Sequence, residues 1–283
     1  MNRQYFLALV VILGAFVLVK CSNSSDHDAV DGVVLTQAEA SAIEVLEQHM
    51  EARNIRDNDG LAAVNNYPNI RIGADGSVVN WDTPEFFALW NEVSTFPYLD
   101  SLGWGHSEWD QITINQSDTV KVHITAQYSR YDVAGNLTQV ADTFWVVTKQ
   151  DGHWGMKFRS SFAEEGSSDE AAIAKAESAA LEVLEQYMQA RNDRDSESLS
   201  AASNYPYVHL KGGSFQRWDT PEDYIVYEET EVIVELDYSD WNRSEWGLTD
   251  IIQSSATKVH IVAELSRFNV LNEKYETTKS FWV

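Results

Sequence analysis

Apolar side chains recur every three or four residues in two segments of the chain, which is the spacing of one helix face. The two sets hold equivalent places, at Ile43, Leu46 and Met50 and again at Leu181, Leu184 and Met188. Farther along, apolar and polar side chains alternate as they do in half-buried strands. The predicted strands are 108–115, 119–131, 138–149 and 153–162, with the first three repeated at 245–252, 256–268 and 275–283. Helices followed by a run of strands predict an α+β fold.

Local signals mark where the predicted helices begin. Capping boxes at Thr36 and Ser167 precede the two amphipathic helices, with a glutamate three residues after each hydroxyl. Asp57 and Asp195 are predicted to cap a short second helix in each segment. A hairpin is predicted next, and then a third helix after each Trp-Asp-Thr-Pro-Glu motif, because proline suits the first turn of a helix.

These features occur twice because the sequence itself repeats. Residues 45–57 and 183–195 are identical at ten of thirteen positions. A period this long indicates a duplicated domain, since solenoid repeats span about 20–50 residues. We therefore expect two tandem domains, residues 33–163 and 168–283. The second copy reaches Val283 without a counterpart of the last predicted strand. We expect that domain to lack its last strand, either because the sequence is truncated or because the domain is built without it.

The N-terminal segment has the pattern of an export signal. Residues 5–19 are an unbroken apolar run, shorter than the roughly 20 residues of a membrane span but typical of a signal h-region. Cys21, the only cysteine, follows directly and resembles the lipidated cysteine of a bacterial lipoprotein. Lys20 stands where that signal has a small residue, so an uncleaved N-terminal anchor is the alternative. We expect residues 1–24 to be the only membrane contact and the rest to be extracytoplasmic, in the periplasm or cell envelope.

The charge of the chain excludes one class of partner. The formal net charge is −24, from 44 acidic and 20 basic residues. Nucleic-acid binding depends on basic clusters that displace counterions from phosphates, and the sequence contains no such cluster. We therefore expect no nucleic-acid partner.

The order of motifs resembles the NTF2-like superfamily, including its SnoaL-like and DUF4440-like members. The motifs on which this resemblance rests are Glu-Ala-Arg-Asn-x-Arg-Asp at the end of the first helix, Trp-x-Thr-Pro-Glu, Lys-Val-His-Ile, and the closing stretch at 144–162. The resemblance implies two cone folds, each with three helices packed on a curved antiparallel sheet around a pocket. Because relatives dimerise through their sheets, it also implies an intramolecular pseudo-dimer. The superfamily includes isomerases, dehydratases, epoxide hydrolases and non-catalytic binding domains, so the fold does not give the function.

Candidate chemistry is confined to acid–base groups. The sequence has no His-x-x-x-His, Cys-x-x-Cys or Gly-x-Ser-x-Gly motif, so we expect no metal, no cofactor and no nucleophilic triad. His49, Arg53 and Tyr67 are the candidate catalytic residues, because His49 and Arg53 share a helix face with core positions. Two of them also have a structural explanation: Arg53 could stabilise the helix C-terminus, and Tyr67 could pack before Pro68.

Other residues are candidates for lining the pockets. On the strand at 119–131, the apolar face that ends in Tyr128 should point inward, which places His123 on the outer face, exposed or at an interface. The predicted pocket-lining residues are Met50, Trp109, Tyr128, Arg130, Tyr187, Arg191, Tyr205 and Trp246.

These expectations favour a small-molecule binding or interaction role, with a small apolar ligand, over catalysis. One alternative is a metal-free acid–base enzyme similar to ketosteroid isomerase, acting as an isomerase, dehydratase or hydrolase of an apolar substrate. The other is a non-catalytic periplasmic scaffold with filled cores. In that case Trp109 and Tyr128 should plug the interior of the first domain.

Overall fold

The structure is a computed structural model, and it describes residues 18–19, 35–162, 169–211 and 214–283. The predicted lipidation site Cys21 and nearly all of the predicted export signal lie outside these ranges. Within the described ranges, none of the helices is long and apolar enough to cross a membrane. Below, the N-terminal half means residues 35–162 and the C-terminal half means residues 169–283.

The helices of the N-terminal half begin where the sequence signals predict. Thr36 and Glu39 form the predicted capping box of the first helix, and Asp57 caps the second. Ala42 and Leu46 are fully buried on the inner face of the first helix. The helices are α1 (Gln37–Asn54), α2 (Asn58–Ala63), α3 (Pro84–Trp90) and α4 (Phe96–Ser101), with a π-helical turn (Asn91–Thr95) joining the last two.

A seven-stranded mixed sheet packs against these helices. Its strands are β1 (Leu18–Val19), β2 (Asn65–Ile72), β3 (Val78–Trp81), β4 (Trp104–Ser117), β5 (Lys121–Asp132), β6 (Leu137–Gln150) and β7 (His153–Ser161). Their spatial order is β1-β4-β5-β6-β7-β2-β3. The predicted antiparallel sheet is wrong for one pair, because β2 runs parallel to β7. That parallel contact attaches the β2–β3 hairpin to the sheet, and α1 packs against β4, β5, β6 and β7 of the same sheet.

The C-terminal half contains similar elements in the same order. Its helices are α5 (Glu170–Asp193), α6 (Ser196–Ala201), α7 (Pro221–Tyr227) and α8 (Ile233–Tyr238), with a π-helical turn (Glu228–Val232) before α8. Its strands are β8 (Tyr207–Lys211), β9 (Ser214–Trp218), β10 (Trp241–Ser254), β11 (Val259–Asn269) and β12 (Lys274–Trp282). Asp169 caps α5, and the hydroxyl of the capping box predicted at Ser167 lies outside the described ranges.

The strands of the C-terminal half form two separate sheets. β8 pairs with β9, and β10, β11 and β12 form the other sheet. In the described residues, no strand joins β12 to β8 in the way that β7 joins β6 to β2.

The two halves pack against each other through the outer faces of their sheets. Phe144 and Phe281, equivalent in the repeat, stack with ring centroids 3.4 Å apart. His123 contacts Phe281, and its counterpart His260 contacts Phe144. The contacts are therefore reciprocal, since each histidine packs on the phenylalanine of the other half. The interface explains why His123, on the outer face of β5 as predicted, is buried.

Candidate functional site

A cavity of about 160 Å³ lies in the N-terminal half, between the helices and the inner face of the sheet. A cavity of about 150 Å³ holds a molecule the size of benzene. Aromatic rings from three directions form much of the wall: Trp81, Phe87, Trp90 and Trp145. Tyr98 also lines the cavity and is 53% exposed, which places the opening beside α4. A ring-sized ligand therefore fits the cavity and can enter from solvent.

Four arginines line this cavity, and each comes from a different element. Arg53 comes from α1, Arg71 from β2, Arg130 from β5 and Arg159 from β7. No aspartate or glutamate is among the described residues that line it. None of the four guanidinium groups forms an ion pair with a carboxylate of the described chain. The cavity is thus strongly cationic inside a protein whose net charge is −24.

The titratable groups at the cavity respond to this concentrated positive charge. Burial by itself raises the pKa of the Tyr128 phenol, but the four cavity arginines outweigh it and hold that pKa below its ordinary value. Burial lowers the pKa of Arg159 to about 9 and that of Arg53 to about 10, and repulsion from neighbouring guanidinium groups adds to both shifts. At neutral pH both groups remain charged. An anion in the cavity would relieve this repulsion.

His49 is held as a neutral hydrogen-bond donor. Arg53 donates to its Nε2 atom from Nε at 3.4 Å and from Nη2 at 3.2 Å. Because a guanidinium group can only donate, Nε2 must accept and the ring proton must sit on Nδ1. Burial, with the charges of Arg53 and Arg159, holds the pKa of His49 well below its ordinary value. The buried Nδ1 atom has no hydrogen-bond partner in the described chain.

Further donors around the cavity are also unsatisfied. The Nδ2 atom of Asn91, the Nε1 atom of Trp81 and the Nε atoms of Arg71 and Arg159 are buried without a partner among the described residues. Asn91 is only 2% exposed. A buried donor without a partner costs about 1–3 kcal/mol, so a group of them lining one cavity indicates a missing acceptor.

The equivalent region of the C-terminal half supplies its own acceptor. Glu228 accepts hydrogen bonds from both Nη atoms of Arg191, and Arg191 also donates to the Tyr187 hydroxyl at 2.8 Å. Burial tends to lower the pKa of Arg191, but Tyr187 and Glu228 outweigh it and raise that pKa above its ordinary value. Aromatic side chains pack tightly beside this ion pair, among them Tyr207, Trp218, Tyr224 and Tyr227.

The structure places the three candidate catalytic residues in different settings. His49 and Arg53 line the cavity and contact each other. Tyr67 does not line the cavity, since its hydroxyl donates to the carbonyl oxygen of Ala62 and its ring packs on Phe87. These contacts are those of the packing role that the sequence indicated as the structural explanation of Tyr67.

The predicted lining residues divide between the two halves. Arg130 lines the main cavity, while Met50, Trp109 and Tyr128 line a small adjoining recess of about 10 Å³. Trp109 and Tyr128 belong to the core behind the cavity and leave its interior open. The remaining four predicted residues lie in the C-terminal half and do not reach this cavity: Tyr187 and Arg191 join the ion pair, Tyr205 bonds to Ser200, and Trp246 donates to the Leu184 carbonyl.

Sequence reasoning missed most of the residues that line the cationic cavity, among them Arg71, Asn91 and Arg159. A comparison of the two repeats contains a signal for one of them, since Asn91 stands where the second repeat has Glu228. A similar exchange is found at the hydrogen-bond partner of Arg130. Arg130 donates to Gln139, whereas its counterpart Arg267 donates to Glu276. In both places the N-terminal half has an amide where the C-terminal half has a carboxylate.

The described residues contain no group of three or more His, Cys, Asp or Glu side chains placed to hold a metal ion. The polar wall of the cavity includes guanidinium, amide, indole and imidazole groups, each of which can donate a hydrogen bond.

No protein-family model and no curated protein matches the chain. Similar solved structures include an NTF2-like protein with a cystatin-like fold from Novosphingobium aromaticivorans, 11% identical with a TM-score of 0.40 over 48% of this chain and 88% of that one. Aln2 from a Streptomyces species is 15% identical, with a TM-score of 0.36 over 44% and 88%. The hexachlorocyclohexane dehydrochlorinase LinA-type3 from Novosphingobium barchaimii is 12% identical, with a TM-score of 0.36 over 45% and 86%. The α+β architecture with a mixed sheet is consistent with the NTF2-like fold that the sequence resembles.

Proposed function

We propose that this chain consists of two tandem NTF2-like domains, residues 33–163 and 168–283, and that the first domain binds a small organic anion. The observation that carries the proposal is the set of four arginines that line one cavity without a carboxylate partner in the described chain. Charged groups are rarely buried unless a partner of opposite charge is available. A ligand that neutralises them is the simplest such partner.

The side chains that line the cavity also indicate the size and polarity of the uncharged part of the ligand. Aromatic rings of Trp81, Phe87 and Trp145 face the same cavity as the guanidinium groups. The guanidinium of Arg159 lies 4.6 Å from the Trp145 ring centroid, so charge and aromatic surface approach each other closely. A ligand with a ring-sized apolar body and an anionic group satisfies both parts of the wall. The apolar ligand expected from sequence accounts for the aromatic part alone.

Binding is favoured over catalysis by the state of His49. A general base needs a free lone pair, and the Nε2 lone pair of His49 is occupied by hydrogen bonds from Arg53. The other ring nitrogen carries the proton and acts as a donor. The acid–base enzyme remains the second candidate, and it predicts turnover that is lost when His49 is replaced.

The arrangement of the two domains and their location are parts of the same proposal. We propose that the domains form an intramolecular pseudo-dimer, supported by the reciprocal contacts around Phe144 and Phe281. We also propose export to the periplasm or cell envelope, supported by the sequence of residues 1–24. Fractionation of cells, with mass measurement of the mature N-terminus and a Cys21→Ser variant, tests export and lipidation. A full-length, unmodified chain in the soluble cytoplasmic fraction contradicts this part.

Calorimetric titration tests the ligand proposal directly. Benzoate and phenylphosphonate are compared with benzamide, which has nearly the same shape as benzoate but no charge. We expect one of the anions to bind and benzamide not to bind measurably. Arg130→Gln should weaken binding by about tenfold to a hundredfold, because a hydrogen bond to a charged group contributes about 1.5–3 kcal/mol.

Arg267→Gln is the matched control, because Arg267 holds the same place in the C-terminal half and contacts Glu276. It should leave anion binding unchanged. Equal affinity for benzamide and benzoate, or equal loss in both variants, would refute the proposal. Turnover of a substrate that His49→Phe abolishes would establish the catalytic alternative instead.

A further inference from the structure

Asn91 and Glu228 occupy the same place in the two halves. Each is the first residue of a π-helical turn that follows the helix after the Thr-Pro-Glu motif. Each is 2% exposed, so both side chains point into the interior. Single π-helical turns inside helices often occur at functional sites. Glutamate is longer than asparagine by one methylene and has an oxygen in place of the amide nitrogen. The main difference is charge, because the carboxylate is negative and the amide is neutral.

In the C-terminal half, Glu228 shows what this position binds. Its two carboxylate oxygens accept from the two Nη atoms of Arg191, which is a bidentate pair. Arg191 in turn donates to Tyr187. Bidentate pairing suits a planar carboxylate, because the two parallel N–H groups of a guanidinium match its two oxygens. The site is electrically neutral without any ligand.

The N-terminal half keeps the arginine but has no carboxylate at this position. Arg53 is the counterpart of Arg191, and His49 is the counterpart of Tyr187. The hydrogen bonds of Arg53 within the described chain go to His49 and leave it without an anionic partner. The Nδ2 atom of Asn91 is buried and unpaired in the same cavity. Asn91 therefore adds a donor at the position where Glu228 adds an acceptor.

We infer that the ligand of this cavity is a small carboxylate, and that its carboxylate group takes the position that the Glu228 carboxylate takes in the C-terminal half. Arg53 and Asn91 donate to its oxygens. The inference rests on the proposed function, since it identifies the anion and its contacts at the same cavity. In the C-terminal half, Glu228 itself fills the corresponding position and is bound to Arg191.

Residue 91 is then the residue that decides whether the site is open. A glutamate at this position would pair with Arg53, neutralise the charge and occupy the place of the ligand. The same exchange at 139 and 276 gives Arg130 an amide partner and Arg267 a carboxylate partner. Two independent positions thus distinguish an open, cationic site from a closed, neutral one.

The experiment exchanges the residue between the halves and measures binding by calorimetry. The probes are benzoate, phenylacetate and 3-phenylpropionate, with phenylphosphonate as the alternative anion. Asn91→Glu should weaken carboxylate binding at least a hundredfold and raise the melting temperature of the free protein. Asn91→Gln keeps a neutral amide and is the matched control, with a loss of less than about tenfold expected from its extra methylene.

The possible outcomes distinguish failure of this inference from failure of the proposed function. If none of the four anions binds the wild-type protein, both the proposed function and this inference are overturned. If an anion binds but Asn91→Glu binds it equally well, only the inference fails. Tenfold or greater preference for phenylphosphonate over every carboxylate also overturns the inference and leaves the proposed function in place. If Asn91→Glu does not fold, Asn91→Ala replaces it, and binding that stays within twofold of wild type refutes the role of the amide.

Discussion

Arg53 and Arg191 hold the same place in the sequence repeat but opposite electrostatic environments. Burial lowers the pKa of Arg53 to about 10, whereas the pKa of Arg191, although buried too, is raised by Tyr187 and Glu228. Methionine removes the charge of either residue and keeps a long apolar side chain. We therefore expect Arg53→Met and Arg191→Met to change the free energy of unfolding in opposite directions.

The magnitudes follow from the two environments. The pKa of Arg53 falls from 12.5 to about 10, which corresponds to a cost of about 3 kcal/mol for the charged form at roughly 1.4 kcal/mol per pKa unit. At pH 7, below both values, this cost is present in full. The hydrogen bond to His49 contributes about 1 kcal/mol in the other direction, and solvent in the cavity screens the charge. The expected net gain for Arg53→Met is about 1 kcal/mol.

Arg191→Met has the opposite effect because it leaves Glu228 buried without its partner. Breaking a buried ion pair from one side costs about 3–5 kcal/mol. Urea denaturation followed by tryptophan fluorescence measures both changes. The reasoning is refuted if Arg53→Met destabilises the free protein by as much as Arg191→Met does. A gain in stability together with a loss of anion binding in Arg53→Met would be the usual exchange of stability for function.

Three other measurements test separate parts of the structure. Burial lowers the pKa of His123 to about 3, so the neutral ring stabilises the fold fully above about pH 6.5 and this stabilisation is lost as the pH falls. Between pH 7 and 5, the free energy of unfolding of the wild type should therefore fall by about 2 kcal/mol more than that of His123→Phe in urea titrations. Ligand binding should raise the pKa of the Tyr128 phenol by neutralising the cavity arginines. An ultraviolet pH titration of the wild type, from which that of Tyr128→Phe is subtracted, isolates the ionisation of this phenol. An unchanged difference titration on adding ligand would disprove the prediction. Phe144→Ala should cost about 3–5 kcal/mol, because Phe144 is fully buried against Phe281; a calorimetric melt with a loss below 1 kcal/mol would show that this stack contributes little.

Local sequence signals predicted the helices well because they act over a few residues. Thr36 and Glu39 form the predicted capping box, and Asp57 and Asp195 cap the predicted second helices. At α5 the outcome differs, since Asp169 supplies the cap two residues after Ser167. Hydroxyl and carboxylate side chains are nearly equivalent caps, so sequence alone could not choose between neighbouring candidates.

In the strands, the alternation of apolar and polar residues identifies the inner face of β5 but not that of β2. Alternation correctly placed Val122, Ile124 and Tyr128 on the inner face of β5. On β2 the apolar side chain does not mark the inner face, because Ile70 faces the other half of the chain while Arg71 lines the cavity. Both faces of this sheet are covered, one by helices and one by the second half. An apolar side chain therefore does not identify the inner face.

The sequence by itself determined that each half has an amphipathic first helix, a hairpin and long strands, because these depend on spacing along the chain. It also contained the exchange of Glu228 for Asn91, without any indication of its meaning. Only the tertiary structure decided that Arg53, Arg71, Arg130 and Arg159 meet in one cavity. They come from four elements spread over more than a hundred residues, and what brings them together is the packing of α1 against the sheet and the parallel pairing of β2 with β7. The charge density in a site depends on the distances between its charged groups in space, and the spacing of residues along the chain does not specify those distances.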